Sequence, residues 1–280
     1  MGNESTDGLG VIRISDGDFV RLTEYLRNRF GINLTKKRVL IEGRLNQYLV
    51  RNGYDNYTNY LDAVFADPTG AELSNILNYL TTNYSFFMRE WEHFEFYRTR
   101  ILPELKETVK DHDLRLWSAG CSTGEEAYTL SMVTGDFFGA DAPSWDRTVL
   151  ATDISRKVLN FATAGAYSAE AVEPLPKGWK LAHFTKLPDG RYQAKESLRK
   201  EVLFRPFNLM EKSFPFKKKF HVIFCRNVMI YFEPQTKIEL VGRFYDALAP
   251  GGYLIVGQSE SLDRSATRLS YVMPSIYHKV

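Results

Sequence analysis

The stretch Leu114-Arg-Leu-Trp-Ser-Ala-Gly-Cys-Ser-Thr-Gly-Glu-Glu-Ala-Tyr-Thr-Leu130 decides the fold of this 280-residue chain. Its first part, the apolar run from Leu114 to Ala119, predicts a buried strand. Gly120 and Gly124 then bracket a tight loop. Glycines at these positions would let a ligand approach the backbone closely. Two glutamates open a helix after the loop. The stretch therefore predicts a strand, a ligand-binding loop and a helix, the first unit of an α/β domain.

The glutamates at the start of this helix narrow the class of ligand. The glycines are spaced Gly-x-x-x-Gly, which is not the Gly-x-Gly-x-x-Gly pattern of dinucleotide-binding proteins. Helix N-termini usually attract phosphate, but the carboxylates of Glu125 and Glu126 would repel it. A cationic ligand fits better, and S-adenosylmethionine carries a sulfonium and an ammonium group. The pair alone leaves a second interpretation equally open, in which the acids only complement the helix dipole.

Three further apolar stretches predict strands that end in polar residues. Val149–Asp153 ends in an acid, which suits the two hydroxyls of a ribose. Phe204–Leu209 places an asparagine at a strand end, and Phe220–Tyr231 carries Arg226 and Asn227. Ligands of open α/β sheets lie at the carboxyl ends of parallel strands. The residues that we expect to converge on one crevice are Gly120, Glu126, Asp153, Asn208 and Asn227.

In combination, these motifs resemble the CheR family of chemotaxis receptor methyltransferases. The resemblance spans nearly the whole chain, and its matching stretches are Leu80–Glu90, Ser118–Glu126, Ala151–Ile154, Phe207–Leu209, Phe224–Phe232 and Gly257–Ser261. It implies an α/β protein: a small all-helical N-terminal domain followed by a Rossmann-like S-adenosylmethionine-dependent methyltransferase domain with a small antiparallel β insertion. The implied activity is methylation of glutamate carboxylates on the cytoplasmic helices of chemoreceptors, giving methyl esters and S-adenosylhomocysteine, for adaptation in chemotaxis.

The resemblance also implies the site residues. Arg89 and Tyr231 match the residues that the family places near the transferred methyl group. The residues implied in cofactor binding are Asn83, Ser85, Arg89, Gly120, Glu126, Asp153, Asn208, Leu209, Arg226 and Asn227. The first motif departs from the family pattern at Met88, where an aromatic residue is common, whereas Ser85 keeps the expected hydroxyl.

Methylation of a glutamate needs no general base, because a carboxylate with a pKa near about 4.3 is already ionised at neutral pH. Catalysis would therefore depend on proximity, alignment and partial desolvation. Arg89 could orient the carboxylate through a fork of two hydrogen bonds. Competing hypotheses are methylation of another substrate on the same fold and a non-catalytic module that keeps the nucleotide site as a sensor.

Composition points to a soluble, cytoplasmic, globular protein, with 44% hydrophobic and 25% charged residues. The net charge of +2 gives no general attraction to nucleic acid. We find neither a membrane-spanning stretch nor a secretory signal, and we expect no direct membrane insertion. Cys121 and Cys225 are expected to be free thiols in a reducing compartment, without catalytic partners in the sequence. We expect a monomer that uses S-adenosylmethionine and no metal.

The pattern of apolar residues divides the chain into a helical N-terminal domain, a connecting helix and a larger α/β domain. Residues 1–12 are predicted to be a flexible polar lead within an N-terminal helical domain, residues 1–90, which the resemblance assigns to receptor docking. Residues 91–110 are predicted to form a connecting helix, and residues 111–280 the methyltransferase domain. The helical pattern breaks at residues 165–200, where an Asp-Gly pair predicts a β-hairpin and hence an inserted β-subdomain.

One surface of the N-terminal domain is strongly basic. Residues 27–51 carry seven arginines and lysines against a single acid, Glu42. Such charges usually belong to a solvated helix surface, but they could also form a docking face for an acidic partner. The resemblance implies that this partner is the glutamate-rich methylation helices of the chemoreceptor cytoplasmic domain. The predicted docking residues are Lys36, Lys37, Arg38, Arg44 and Arg51.

Overall fold

In the computed structural model, residues 11–68, 70–81 and 83–280 are described. Most of the predicted polar lead, residues 1–12, lies outside them. The chain divides into two compact units. The first contains the residues up to Asn83 together with Tyr231–Glu233, and the second contains Tyr84–Ile230 and Pro234–Val280. The predicted boundary of the N-terminal domain, residue 90, therefore differs from the structural boundary by seven residues.

The described residues of the first unit form four helices: α1 (Asp16–Phe30), α2 (Arg38–Arg51), α3 (Tyr57–Ala66) and α4 (Ala71–Leu80). Ser15 begins α1 by accepting a hydrogen bond from the Asp18 backbone amide, and Gly31 ends it in a left-handed conformation. Leucines spaced at helical intervals, such as Leu22 and Leu26, are fully buried in this unit. The short segment Tyr231–Glu233 belongs to the same unit: the backbone amide of Asn33 donates to the Tyr231 carbonyl at 3.1 Å.

The second unit contains the following helices and strands in chain order: α5 (Trp91–Phe96), α6 (Leu102–Thr108), β1 (Leu116–Ala119), α7 (Glu125–Phe138), β2 (Val149–Asp153), α8 (Arg156–Ala164), β3 (Ala166–Tyr167), α9 (Lys177–His183), β4 (Phe184–Lys186), β5 (Tyr192–Ala194), α10 (Glu196–Arg199), β6 (Val202–Pro206), β7 (Phe220–Cys225), α11 (Pro234–Ala247), β8 (Leu248–Val256), β9 (Ser270–Met273) and β10 (Ile276–His278). Among the described residues, no helix is both long and apolar enough to cross a membrane.

The segment predicted to be a connecting helix contains one irregular turn. A π-helical turn, Tyr97–Ile101, separates α5 from α6, and the backbone amide of Leu102 donates to the carbonyl of Tyr97, five residues earlier. Pro103 is the physical reason, because proline has no amide hydrogen and its ring crowds the carbonyl four residues before it. A wider turn relieves this crowding, and the helical segment continues through it from Trp91 to Thr108.

Seven strands form the main sheet, in the order β6-β2-β1-β7-β8-β10-β9. The pairs β6–β2, β2–β1, β1–β7 and β7–β8 are parallel, and the edge strands β10 and β9 are antiparallel. Helices connect the parallel strands, as the alternating pattern predicts. The predicted α/β fold class with its helical N-terminal domain is confirmed.

The predicted antiparallel insertion is also confirmed. Strands β3, β5 and β4 form a separate three-stranded antiparallel sheet. The Asp-Gly turn joins β4 to β5, and Gly190 in this turn has a positive φ of 87°. A tight hairpin requires such a backbone angle, which glycine adopts at little cost.

Two strand ends differ from the prediction, and both differences concern site residues. Strand β6 ends at Pro206, so Asn208 lies two residues beyond it. Strand β7 ends at Cys225, because Asn227 takes a left-handed conformation, with φ at 59°, that cannot continue a strand. Arg226 and Asn227 therefore lie in the loop after β7.

Candidate active site

The loop between β1 and α7 is held close to the end of β2. The backbone amides of Gly120 and Cys121 both donate to the carbonyl of Thr152, at 2.7 and 2.9 Å. Gly120 has a φ of 85°, and a Cβ at this position would lie 2.4 Å from Cγ2 of Val228. A larger residue would therefore displace the segment after β7, so glycine is required where these two loops meet.

Asp153 ends β2 and binds this loop through its carboxylate. Oδ2 accepts from the Ser122 backbone amide and Oδ1 from that of Ser155, both at 2.9 Å. Burial raises the pKa of Asp153, and the amide donors partly oppose this effect. The Ile154 backbone amide is a third donor to this carboxylate. Its two oxygens carry four lone pairs in all, so an acceptor position remains for a ribose hydroxyl.

Ser122 provides a further sign that this loop is built for a ligand. It has a left-handed backbone, with φ at 50°, which costs energy for a residue other than glycine. Its hydroxyl is buried and has no hydrogen-bond partner among the described residues. Buried hydroxyls normally find a partner. The loop thus fits a polar nucleoside.

The two glutamates at the start of α7 are each bound to a different group. The carboxylate of Glu125 accepts from Thr123 Oγ1, at 2.7 and 2.9 Å, and is also hydrogen-bonded to the Ser85 hydroxyl. The carboxylate of Glu126 accepts from Ser118 Oγ at 2.6 Å and from Arg226 Nη1 at 3.1 Å. Burial raises the pKa of both acids. The positive charge of Arg226 therefore compensates part of the negative charge of the two glutamates at the start of α7.

Arg226 lies at the centre of a buried ionic network. Its side chain is 1% exposed and pairs with both Glu126 and Glu90 at 3.1 Å. Nη2 also donates to the backbone carbonyl of Arg89, and the guanidinium lies over the ring of Phe94, 5.3 Å from its centroid. Because these partners come from separate parts of the chain, Arg226 joins the first motif, the start of α7 and the end of β7.

Glu90 is a site residue that the sequence reasoning did not single out. Its carboxylate accepts from Arg226, from Asn227 Nδ2 at 3.2 Å and from the Gln258 backbone amide at 3.1 Å. Burial alone would raise the pKa of Glu90, but the Arg226 charge and these hydrogen bonds outweigh it and lower the pKa. Nearby, burial lowers the pKa of His93 to about 4, so this side chain is neutral at physiological pH.

Arg89 is held at the surface of the second unit by an unusual backbone. The residues on either side of it, Met88 and Glu90, both have left-handed conformations, with φ at 63° and 52°. Such strain persists only where surrounding contacts enforce it, and it is common at active sites. Nη1 of Arg89 donates to the Tyr84 carbonyl at 2.8 Å, and the side chain remains 28% exposed. It is therefore available to a substrate.

Two predicted site residues of the second unit lie outside the network around Arg226. Asn208 and Leu209 follow β6: Asn208 Oδ1 accepts from the Met210 amide at 3.0 Å, and the Leu209 carbonyl accepts from Arg243. The remaining two predicted residues, Asn83 and Tyr231, belong to the first unit.

The two cysteines do not have the properties of nucleophiles. Cys121 and Cys225 are free and fully buried. Burial raises the pKa of both thiols well above its usual value, which disfavours the reactive thiolate. Among the described residues, no group of three or more histidines, cysteines or acids could hold a metal ion.

The predicted docking residues have different environments within the first unit. Lys36, Lys37 and Arg51 are exposed, and Arg38 pairs with Asp16. Arg44 Nη1 instead donates to backbone carbonyls at the end of α4, including that of Leu80 at 3.1 Å. Arg44 therefore caps a helix C-terminus, which the charge pattern alone did not reveal.

Comparison with known proteins identifies the family. The CheR methyltransferase SAM binding domain matches residues 83–277, and the CheR methyltransferase all-alpha domain matches residues 17–81. A chemotaxis protein methyltransferase of Borreliella burgdorferi is 40% identical over 272 residues, which are 96% of each chain. The chemotaxis protein methyltransferase of Escherichia coli is 32% identical over 95% of this chain and 92% of its own. A probable chemotaxis protein methyltransferase of Rhizobium etli is 34% identical over 84% of this chain and 89% of its own. These similarities cover both structural units, and the chain belongs to the CheR family of chemotaxis protein methyltransferases.

Proposed function

We propose that this protein transfers a methyl group from S-adenosylmethionine to glutamate side chains on the cytoplasmic helices of chemoreceptors, giving glutamate methyl esters and S-adenosylhomocysteine. The observation that carries the proposal is the Arg226 network. Through it, the strand ends proposed to bind the cofactor are bonded directly to the backbone of Arg89, the proposed catalytic arginine. Cofactor binding and substrate orientation would thus share one rigid support.

The cofactor would be held by the loops after β1, β2, β6 and β7. Asp153 has an acceptor position for the ribose, and Ser122 and the glycine loop fit a polar nucleoside. Asn83, Ser85, Arg89, Gly120, Glu126, Asn208, Leu209, Arg226 and Asn227 are the other proposed binding residues. When bound, S-adenosylmethionine supplies an electrophilic sulfonium methyl group.

The chain's own contribution to the reaction would be orientation rather than proton transfer. The substrate carboxylate is the nucleophile and is already ionised, so the site needs no general base. Arg89 is 28% exposed, and the N–H groups that it does not use to bond the Tyr84 carbonyl can align a carboxylate. Tyr231 is proposed as a second orienting group because its motif matches the family, and its hydroxyl would act by hydrogen bonding. Holding both reactants in one geometry can supply much of the rate enhancement.

The receptor would be recruited by the basic first unit. Lys36, Lys37 and Arg51 are exposed and attract an acidic helix surface. Arg38 and Arg44 contribute charge but are already bonded within the unit. A substrate on receptor cytoplasmic domains would place the enzyme in the cytoplasm, and the proposal requires neither a metal nor a second copy of the chain.

The test is incubation of the full chain with methyl-labelled S-adenosylmethionine and receptor cytoplasmic fragments. A carboxyl methyl ester releases its label as methanol in mild base, whereas a methylated amine does not. We expect base-labile label on the fragment and almost none with an Arg89→Ala variant. Base-stable label, or no label on any receptor fragment under conditions where the cofactor binds, would refute the proposed substrate.

A further inference from the structure

The motif Gly257–Ser261 has no role in the mechanism above, yet it contains a buried acid. Glu260 is 4% exposed, and its carboxylate accepts hydrogen bonds from several backbone amides, three of which are well defined. Oε2 accepts from Asn227 at 2.6 Å and from Gly257 at 2.8 Å, and Oε1 accepts from Ile230 at 3.1 Å. Two of these donors lie in the loop after β7 and the third lies in the loop after β8. The carboxylate thus fastens one loop to the other.

The bonding pattern of Glu260 is unusual for a buried acid. Acids at this depth are usually paired with a basic side chain. Within the described part of the chain, the groups bonded to Glu260 are backbone amides, and no basic side chain forms an ion pair with it. Charged acceptors make stronger hydrogen bonds to amides than neutral ones do. The acid is therefore suited to hold a backbone in a conformation that the backbone would not keep alone.

Asn227 is in such a conformation. Its φ of 59° is left-handed, which costs energy for a residue with a side chain. Gly257 approaches it from the other side: a Cβ at this glycine would lie 2.6 Å from Asn227 Nδ2 and 2.9 Å from its backbone nitrogen. Glu260 and Gly257 together fix the backbone of Asn227, and Glu90 accepts from its side-chain amide.

The segment that Glu260 holds also reaches the glycine loop of the proposed cofactor site. Val228 lies between Asn227 and Ile230, and its side chain occupies the space that a Cβ on Gly120 would need. A shift of the loop after β7 would therefore change both the Asn227 amide and the surface of the glycine loop.

We propose that Glu260 is a positioning residue for the cofactor, which it serves by holding Asn227 in its left-handed conformation. The proposal rests on the proposed function, because it assumes that Asn227 contacts the cofactor. Glu260 itself touches neither cofactor nor substrate. Its contribution to binding is the fixed position of another side chain.

The experiment measures the affinity of the full chain for S-adenosylhomocysteine by calorimetry in four proteins: wild type, Glu260→Gln, Asn227→Ala and the double variant. Glutamine keeps the size of the side chain but replaces one acceptor oxygen by a donor that faces backbone amides. We expect each single substitution to weaken binding about tenfold. The double variant should have the same affinity as whichever single variant binds S-adenosylhomocysteine less tightly, because both changes remove the contact between Asn227 and the cofactor.

A matched control separates this role from a general loss of stability. Asp18 is another buried acid, 6% exposed, that accepts hydrogen bonds from Ser15 and Thr58 within the first unit. Asp18→Asn removes a comparable buried charge and is expected to leave S-adenosylhomocysteine affinity within twofold of wild type. A similar loss of affinity in this control would overturn the proposal.

A second variant covers the case in which Glu260→Gln does not fold. Gly257→Ala keeps the Glu260 carboxylate but places a methyl group against both Asn227 and Glu260 Oε2, so it disturbs the same contact by a different change. It should also weaken binding about tenfold and show the same lack of additivity with Asn227→Ala. Unchanged affinity in Glu260→Gln or Gly257→Ala, or losses that add in the double variant, would overturn the positioning role. Failure of the wild type to bind S-adenosylhomocysteine would instead overturn the proposed function.

Discussion

Replacement of Arg226 by methionine tests the buried network most severely. Methionine keeps an apolar side chain of similar length but removes the ion pairs to Glu90 and Glu126, both at 3.1 Å, and the bond to the Arg89 carbonyl. The two acids are each only 13% exposed, so they would lose their compensating charge in a poorly solvated place. Breaking a buried pair by removing one partner typically costs about 3–5 kcal/mol. We expect a loss of unfolding free energy in this range at pH 7.5.

The pH dependence of this loss follows from the two pKa shifts. Burial raises the pKa of Glu126 and Arg226 opposes it, so the pKa of Glu126 should rise further in Arg226→Met. An acid whose pKa is higher in the folded than in the unfolded state takes up a proton on folding, and stability then increases as the pH falls. The wild-type pKa of Glu90 is instead lowered, so its contribution to wild-type stability is lost only below its ordinary pKa and is constant between pH 7.5 and 5.5. The stability gap should narrow by about 1–2 kcal/mol between pH 7.5 and 5.5.

Urea unfolding followed by tryptophan fluorescence is the appropriate assay. All four tryptophans, at positions 91, 117, 145 and 179, lie in the second unit, so the signal reports on the unit that contains Arg226. Arg147→Met is the control. Arg147 is 12% exposed and, among the described residues, forms one ion pair, to Glu201 at 3.2 Å, besides a hydrogen bond to the Ala142 carbonyl. We expect a smaller loss, because one acid and not two loses its partner. Adding Glu126→Gln to Arg226→Met should recover about 1 kcal/mol or more. A loss below about 1 kcal/mol, or a gap that is equal at both pH values, would refute the reasoning.

Three further predictions concern binding and turnover. Asp153→Asn should weaken S-adenosylhomocysteine binding by about 1–3 kcal/mol, since a ribose hydroxyl loses its acceptor, and unchanged affinity by calorimetry would remove this assignment. Arg89→Ala and Tyr231→Phe should lower turnover more than cofactor affinity, which steady-state kinetics with receptor fragments will measure; wild-type turnover in both would contradict their proposed roles. Charge reversal at the exposed Lys37 and Arg51 should slow receptor methylation at low salt without changing cofactor affinity, and a defect that does not shrink as salt rises would indicate misfolding instead.

The sequence predicts the local parts of this fold well. Strand β2 has the predicted bounds, Val149–Asp153, because a short apolar run that is bounded by an acid is typical of a buried strand. The Asp-Gly hairpin and the cap residues of α1 follow from turn and helix-end chemistry, which depends on neighbours in the chain. Such features are readable because the residues that cause them are adjacent.

Features that depend on distant residues were missed. The end of β7 is set by the left-handed Asn227, and this conformation is maintained by Glu260, 33 residues later. The Arg226 pairs join residues 100 and 136 positions apart, so no spacing within a motif predicts them. Arg44 resembles a free surface charge in the sequence, but it bonds to the end of α4, 36 residues away. The strands of the site were therefore predictable, whereas the ends of β6 and β7 and the network that holds the site together were not.

Mass spectrometry of a receptor cytoplasmic fragment after incubation with this protein and S-adenosylmethionine tests the central claim most directly. The proposed function predicts a mass increase of one methylene group on peptides of the receptor helices, localised by fragmentation to glutamate side chains and absent when Arg89→Ala replaces the wild type. Methylation localised to lysine, to arginine or to a backbone terminus, or an unmodified receptor in the presence of cofactor-bound protein, would contradict it.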